Sequence, residues 1–323
     1  MSKTTVLLVG ATGETGSDIL NGLIEDGNFE ISILVQPSSA SKPAVKAIST
    51  RGIKVIVADL SGSIEDLTAA ITGYSTIISA VGMGQQALQL SLVDAAVKAG
   101  TTRFVPCAFT TVCPPSGIMT IREDKEQVYR HIWGHHLPYT IIDVGYWHQI
   151  SWPRLSSGKL DYACVLPKNE VYGDGEAKTL LTDKRDIGRF VARIVRDGRT
   201  LNKKVFTHSD FLSQNEIIAL LEAKSGEKIE YSVVSEADVL ARRAAAREAV
   251  EKDPTDYMKA AGKSQAEYIV SKYLRRDNTP EVARYLGYLD ARELYPDFEP
   301  VRFEAFVGEL LEGKGTRPYA SRF

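Results

Sequence analysis

Seven residues near the start of the chain, Gly10-Ala11-Thr12-Gly13-Glu14-Thr15-Gly16, have the types and spacing to hold a phosphate. The apolar run Val6-Leu7-Leu8-Val9 leads straight into them and an amphipathic stretch follows, so a strand breaks into glycines and restarts as a helix. Such a turn brings bare backbone N–H groups and the positive helix end against a pyrophosphate. A tight strand-to-helix turn without a ligand is the plain alternative. The second β-rich run, Ile31-Ser32-Ile33-Leu34-Val35, completes a β-α-β unit of the required length. The spacing therefore predicts a dinucleotide site at Gly10, Thr12, Gly13, Glu14, Thr15 and Gly16.

Other chemistry-bearing residues are scattered. His131 and His135 have the i,i+4 spacing that two metal ligands on a helix use, but Gly134 and Pro138 end the helix there, so no metal site is expected. Cys107, Cys113 and Cys164 are an odd set without metal-ligand spacing and without a base to make a thiolate; packing in a reducing compartment fits them. One Tyr-x-x-x-Lys spacing occurs, Tyr268 to Lys272. In that arrangement a lysine lowers the tyrosine pKa so that the phenol can protonate a reduced carbonyl. It lies far beyond the place such a pair takes on a dinucleotide fold, and no chemistry is expected of it.

The elements that must position these residues alternate. Lys54 to Val57 reads as a strand, Glu65 to Ile71 as a helix, Thr76 to Ala80 as a strand, Gln86 to Ala99 as a helix and Arg103 to Pro106 as a strand; Tyr139 to Val144 is a return strand. The expected class is α/β, a doubly wound parallel Rossmann sheet with a smaller C-terminal α/β substrate lobe. Residues 1–150 form the expected NAD(P)-binding part and 151–323 the substrate lobe, some of whose segments return to the first sheet. Ligands bind at the carboxyl ends of such strands, so Gly10, Gln36, Asp59, the Ala80-Val81-Gly82 turn and Pro106 should share one edge. Ser213, three residues before Glu216, fits a helix capping box, and Ala237 to Lys252, with mixed charges, reads as a solvated helix.

Composition narrows the class of function. With 39 basic and 41 acidic residues the formal net charge is −2, which leaves no electrostatic footprint for nucleic acid or an anionic membrane. Hydrophobic residues make up 44% of the chain, enough for an ordinary core, yet no apolar run reaches the roughly 18 residues of a membrane span. A single basic residue and then a strand open the chain, without signal-peptide architecture. The expectation is a cytoplasmic protein with a small-molecule substrate; an exposed helix of this fold could support a homodimer.

Several segments carry a resemblance that runs nearly end to end: Val9-Gly10-Ala11-Thr12-Gly13, Arg103-Phe104-Val105-Pro106, Lys125 followed by Leu137-Pro138-Tyr139-Thr140, Gly173-Asp174-Gly175, Asp186-Ile187-Gly188-Arg189, Arg199-Thr200-Leu201-Asn202-Lys203, Leu212 to Ile217 and Leu294-Tyr295-Pro296-Asp297. The chain resembles the isoflavone-reductase-like and NmrA-like branch of the atypical short-chain dehydrogenases. That resemblance implies an NADPH-dependent reductase of secondary metabolism, transferring hydride to a small aromatic or heterocyclic acceptor at a C=C, a C=N or a benzylic ether. It assigns Lys125 as proton donor or acceptor, and places Tyr146, Trp147 and His148 where the family's substrate pocket lies. A non-catalytic dinucleotide-sensing regulator is the alternative, and such sensors lack the lysine in this register.

Departures from the family pattern bear on the cofactor. Gln36 stands where NADP-specific members usually carry an arginine, yet Gln36 to Lys42 contains no acid that would favour NAD, and Ser38, Ser39 and Lys42 can meet a 2′-phosphate. The expected cofactor is thus NADPH (NADP+). The family loop Pro-Ser-Glu-Phe-Gly reads Pro106-Cys107-Ala108-Phe109-Thr110, which removes a carboxylate beside the cofactor and leaves Pro106, Cys107 and Phe109 as expected contacts.

Overall fold

The computed structural model describes residues 3–165 and 168–320; the ends of the two expected lobes, 1–2 and 321–323, lie outside it. The first part alternates as its apolar runs require: β1 (Thr4–Val9), α1 (Glu14–Asp26), β2 (Phe29–Val35), α2 (Pro43–Ser49), β3 (Lys54–Val57), α3 (Ile64–Ile71), β4 (Thr76–Ser79), α4 (Leu88–Lys98), β5 (Arg103–Val105), α5 (Thr120–Gly134) and β6 (Thr140–Asp143). The remainder runs β7 (Tyr146–Trp147), β8 (Glu170–Tyr172), β9 (Thr179–Thr182), α6 (Lys184–Arg196), β10 (Lys203–Phe206), β11 (Asp210–Leu212), α7 (Gln214–Ser225), β12 (Ser232–Val234), α8 (Glu236–Lys252), α9 (Tyr257–Ile269), α10 (Pro280–Tyr285), β13 (Tyr288–Asp290), α11 (Ala291–Leu294) and α12 (Phe303–Leu311).

Five parallel strands in the order β3-β2-β1-β4-β5 form the main sheet, with Val9 of β1 beside Leu34 of β2 and Ser79 of β4. Strands buried on both faces read as continuous apolar runs, and Val6 to Val9 and Ile77 to Ile78 are buried in one core with Ile19, Leu20, Leu92 and Phe190. A parallel bridge from Phe104 to Tyr139 brings β6 alongside β5. Beyond it β10 and β13 continue in parallel, so chain from the C-terminal half extends the main sheet. The topological switch lies at β1, between β2 and β4, where a doubly wound sheet opens a crevice at its carboxyl edge.

A second core, with Trp152, Leu155, Leu160, Leu221, Phe303, Phe306 and Leu310, lies under α7 and α12. The smaller sheets β7-β9-β11 and β8-β12 belong to this lobe. The capping box at α7 is present in both directions: Ser213 Oγ accepts from the Glu216 amide, and the Ser213 amide donates to the Glu216 carboxylate. Helix α8 is largely solvated, with Val239 as its buried residue, although Arg247 reaches inward.

Candidate active site

A groove of about 1080 Å³ runs along the carboxyl edge of the main sheet. One end of it is the glycine turn between β1 and α1. Gly10 has φ +82°, and a Cβ there would lie 2.3 Å from the Ala80 carbonyl oxygen, so only glycine lets β1 and β4 end side by side. Gly13 is the N-cap of α1 and has no capping side chain, which leaves the first N–H groups of the helix for a ligand. A Cβ at Gly13 would meet only the Gly10 carbonyl oxygen, at 3.3 Å. Thr12, Glu14 and Thr15 also line the groove. Glu14 is not free to meet a phosphate. Its carboxylate pairs with Lys184 and accepts from the Tyr319 amide at 2.7 Å.

Farther along the edge, Gln36, Ser39 and Lys42 follow β2, and Ala80, Val81 and Gly82 follow β4. Gln86, just before α4, and Gln89, in its first turn, carry no sequence signal yet fix the loop after β5: Gln89 Oε1 accepts from the Cys107 amide at 2.8 Å, and Gln89 in turn donates to Gln86 Oε1. Phe109 in this loop has φ +44°, an uncommon conformation for a bulky residue, held by its amide donating to the Ile142 carbonyl at 2.8 Å.

Lys125 projects from α5 into this loop. It is 3% exposed, and its Nζ donates to the Cys107 carbonyl at 2.7 Å. Burial holds the ammonium below the ordinary lysine range; the Cys107 side chain opposes that and Arg122 adds to it. One turn earlier on α5, Arg122 makes a fully buried ion pair with Asp143 of β6 at 2.6 Å, and Tyr288 donates to the same carboxylate. Removing one partner of such a pair costs about 3–5 kcal/mol, so α5 is firmly placed against β6. A buried amine held by a neutral carbonyl beside a groove is placed to exchange a proton with whatever the groove binds.

The acceptor end is walled by side chains from distant segments: Phe109 and Thr110, Ile121, Tyr146 and Trp147, Ile150, one face of α9, and Tyr319. Tyr319 stacks on Trp147, with ring centres 5.8 Å apart. From α9 come Tyr257, Ala261, Ser264, Gln265 and Tyr268, a stripe at helical spacing that carries no recognisable motif. Tyr268 was expected to be idle, yet its hydroxyl lies 2.6 Å from Thr110 Oγ1 at the groove. The spacing partner Lys272 turns elsewhere: its Nζ sits 3.1 Å from the centre of the Tyr146 ring, in a five-residue π-helical turn after α9. Burial pushes that amine well below the usual lysine range and the Tyr268 phenol up to about 12.

Five expected contacts do not line the groove. Gly16 instead packs α1 on the turn, since a Cβ there would lie 2.0 Å from the Gly10 carbonyl oxygen. Ser38 is exposed on a 3-10 turn, where Ser39 takes the groove side. Asp59 is exposed and bound to the amide and hydroxyl of Ser61, and Leu60 lines the groove in its place. Pro106 is buried behind the loop. His148 is also corrected: β7 ends at Trp147, and the next residue turns into the second core, 0% exposed, 3.4 Å from Asp210 and edge-on to Phe303.

Away from the groove, Asp94 of α4 joins His131 and His135, with Oδ1 2.6 Å and 3.4 Å from their Nε2 atoms. Their three ligand atoms lie within 4.8 Å of one another, but the His131–Asp94 contact already gives these groups a partner without a metal. Among the described residues, no helix is long and apolar enough to cross a membrane.

A model of the NmrA-like family matches residues 2–306. Asnovolin J 5′,6′-dehydrogenase of Aspergillus novofumigatus is 37% identical over 319 residues, 98% of each chain. Phenylcoumaran benzylic ether reductase of Ginkgo biloba is 32% identical over 257 residues, covering 74% of this chain and 81% of the relative. Among solved structures, isoflavone reductase is similar with a TM-score of 0.79 and 25% identity, over 95% of this chain and 99% of the other. Leucoanthocyanidin reductase of Vitis vinifera, solved with NADPH, shares the fold at a TM-score of 0.80 and 22% identity, over 95% and 99% of the two chains. A likeness that spans nearly the whole chain, on a fold organised around this groove, leads to one assignment: the chain belongs to the NmrA-like family and is an oxidoreductase of its isoflavone-reductase-like branch.

Proposed function

We propose that the chain uses NADPH to reduce a small aromatic or heterocyclic acceptor, at a conjugated C=C, a C=N bond or a benzylic ether, in secondary metabolism, with Lys125 carrying the proton. The observation that carries this reading is the Lys125 amine, buried at the floor of the groove and tied to the Cys107 carbonyl. The groove also fits the cofactor. A glycine turn with uncapped helix N–H groups suits its pyrophosphate, and Gln36, Ser39 and Lys42, with no acid among them, suit a 2′-phosphate. NADPH supplies the hydride when bound. Lys125 then protonates the reduced acceptor, or takes the proton back in the oxidative direction, and the aromatic wall of Phe109, Tyr146, Trp147 and Tyr319 excludes water from a flat acceptor. The fungal relative is named a dehydrogenase and the Ginkgo relative a reductase, both names for redox enzymes.

The test is a panel of conjugated, imine and benzylic-ether acceptors, followed by loss of NADPH absorbance with NADH in parallel. Turnover of at least one acceptor with NADPH preferred is the expected result. A protein that binds NADPH but oxidises it with none of them is a cofactor sensor, and the reductase reading is then wrong.

A further inference from the structure

Two helices bring ligand-type side chains to one point outside the groove. His131 and His135 lie four residues apart on α5, and the helical turn continues past Gly134, because the His135 amide still donates to the His131 carbonyl at 3.2 Å. The i,i+4 spacing therefore places both rings on one face, with centres 4.5 Å apart. Asp94 of α4 supplies the third group. Its Oδ1 lies 2.6 Å from His131 Nε2 and 3.4 Å from His135 Nε2, so one oxygen serves both rings, and the three ligand atoms fall within 4.8 Å of one another. In a tetrahedral zinc site, with ligand bonds of about 2.0–2.1 Å, neighbouring ligand atoms stand about 3.3 Å apart. The Asp94–His135 separation already has about that value, and the Asp94–His131 contact needs to open by about 0.7 Å. The three side chains are 29%, 35% and 44% exposed, so the carboxylate has room to swing and water can complete the shell. The contact that partners these groups also gathers them where a cation would hold them.

We propose that Asp94, His131 and His135 bind one Zn2+, with water in the remaining position, and that the ion staples α4 to α5. Two imidazoles and one carboxylate are a zinc donor set, whereas Mg2+ and Ca2+ prefer shells of oxygen. The stapled helices are the two that grip one residue of the groove: Gln89 of α4 accepts from the Cys107 amide at 2.8 Å, and Lys125 of α5 donates to the Cys107 carbonyl at 2.7 Å. The ion ties the same helices together about one and a half turns farther along each. The site stands apart from the acceptor, and it holds whether or not Lys125 carries a proton.

The test is calorimetric titration of the tag-free chain, stripped with a chelator that is then removed, with ZnCl2 near neutral pH and with MgCl2 in parallel. The wild type should take up about one equivalent of Zn2+ with a Kd below about 10 μM, and no Mg2+ in that range. His135→Ala and Asp94→Asn should each weaken Zn2+ at least about tenfold, since each removes one of three ligands. Both variants should melt as the wild type does without metal, because the positions are partly exposed, and Zn2+ should raise the melting temperature of the wild type more than that of either variant. Binding no tighter than about 100 μM in the wild type overturns the proposal, as does an affinity unchanged by His135→Ala. An affinity unchanged by Asp94→Asn, or an equal rise in melting temperature in that variant, leaves only a chelate of the two histidines on α5 and overturns the staple.

Discussion

The two ends of the groove are built from different materials. At the glycine end one contiguous segment lines the groove, and it offers main chain: the N–H groups of an uncapped helix, brought close by glycines. At the acceptor end the loop after β5, α5, β7, α9 and Tyr319 each contribute side chains. A site made of backbone constrains sequence through shape alone, so a single Cβ decides its fate. A site made of side chains from separate segments can be retuned one residue at a time while the fold stays as it is.

The sharpest way to break this contrast is at Lys125. Lys125→Ala should lower turnover about 10²- to 10⁴-fold, the usual range for a positioned proton carrier, while NADPH affinity measured by fluorescence changes little. Lys125→Arg should be nearly as poor, because a guanidinium keeps its charge but does not release a proton near neutral pH. In the reductive direction the protonated amine is the donor, so kcat/KM should fall as pH rises through the Lys125 pKa. Because burial depresses that pKa, the fall should come below the ordinary lysine range. Near-normal turnover in Lys125→Ala would remove the proton role altogether.

Next come the glycines, which should separate from one another. A valine at Gly16 would drive a Cβ into the Gly10 carbonyl, and the expected loss of stability is at least about 3 kcal/mol, read by denaturant unfolding. A valine at Gly13 meets backbone only at 3.3 Å and should keep the far-ultraviolet dichroism and melting temperature while weakening NADPH binding at least about a hundredfold. If Gly13→Val binds NADPH normally, the phosphate end lies elsewhere. The smallest effect belongs to the exposed Lys42: Lys42→Ala should weaken NADPH about tenfold and leave NADH unchanged, as loss of one charge-assisted phosphate contact at the surface would. Equal losses for both cofactors would detach Lys42 from the 2′-phosphate.

The same contrast explains what could be read without coordinates. The alternating apolar runs from Thr4 to Asp143 and the glycine turn are local patterns, and the sheet edge follows from them. The α9 stripe is different, because Tyr257, Ala261, Ser264, Gln265 and Tyr268 look like any half-buried helix face until the fold lays them over a groove some 150 positions upstream in the chain. Tyr268 and Lys272 were discounted on their distance from the glycines, and the spacing indeed does not make the usual pair, since Lys272 goes to Tyr146; yet Tyr268 itself arrives at the site. His148 erred the other way. Three residues in a row left a strand end, but the strand closed after two, and nothing in the residue types shows which way a short 3-10 turn aims the third. Glu267, a carboxylate that caps another helix through space, has no sequence pattern at all.

Lys125 is anchored most closely on the carbonyl of residue 107, at 2.7 Å, with the Cys107 sulfur farther off at 3.8 Å. Every amino acid brings that oxygen. The loop from 107 to 110 can therefore exchange a carboxylate for a methyl group at 108 or a glycine for a threonine at 110 and still present that carbonyl to Lys125. The lining of the groove can thus be exchanged residue by residue while the main-chain hydrogen bond that holds Lys125 stays in place.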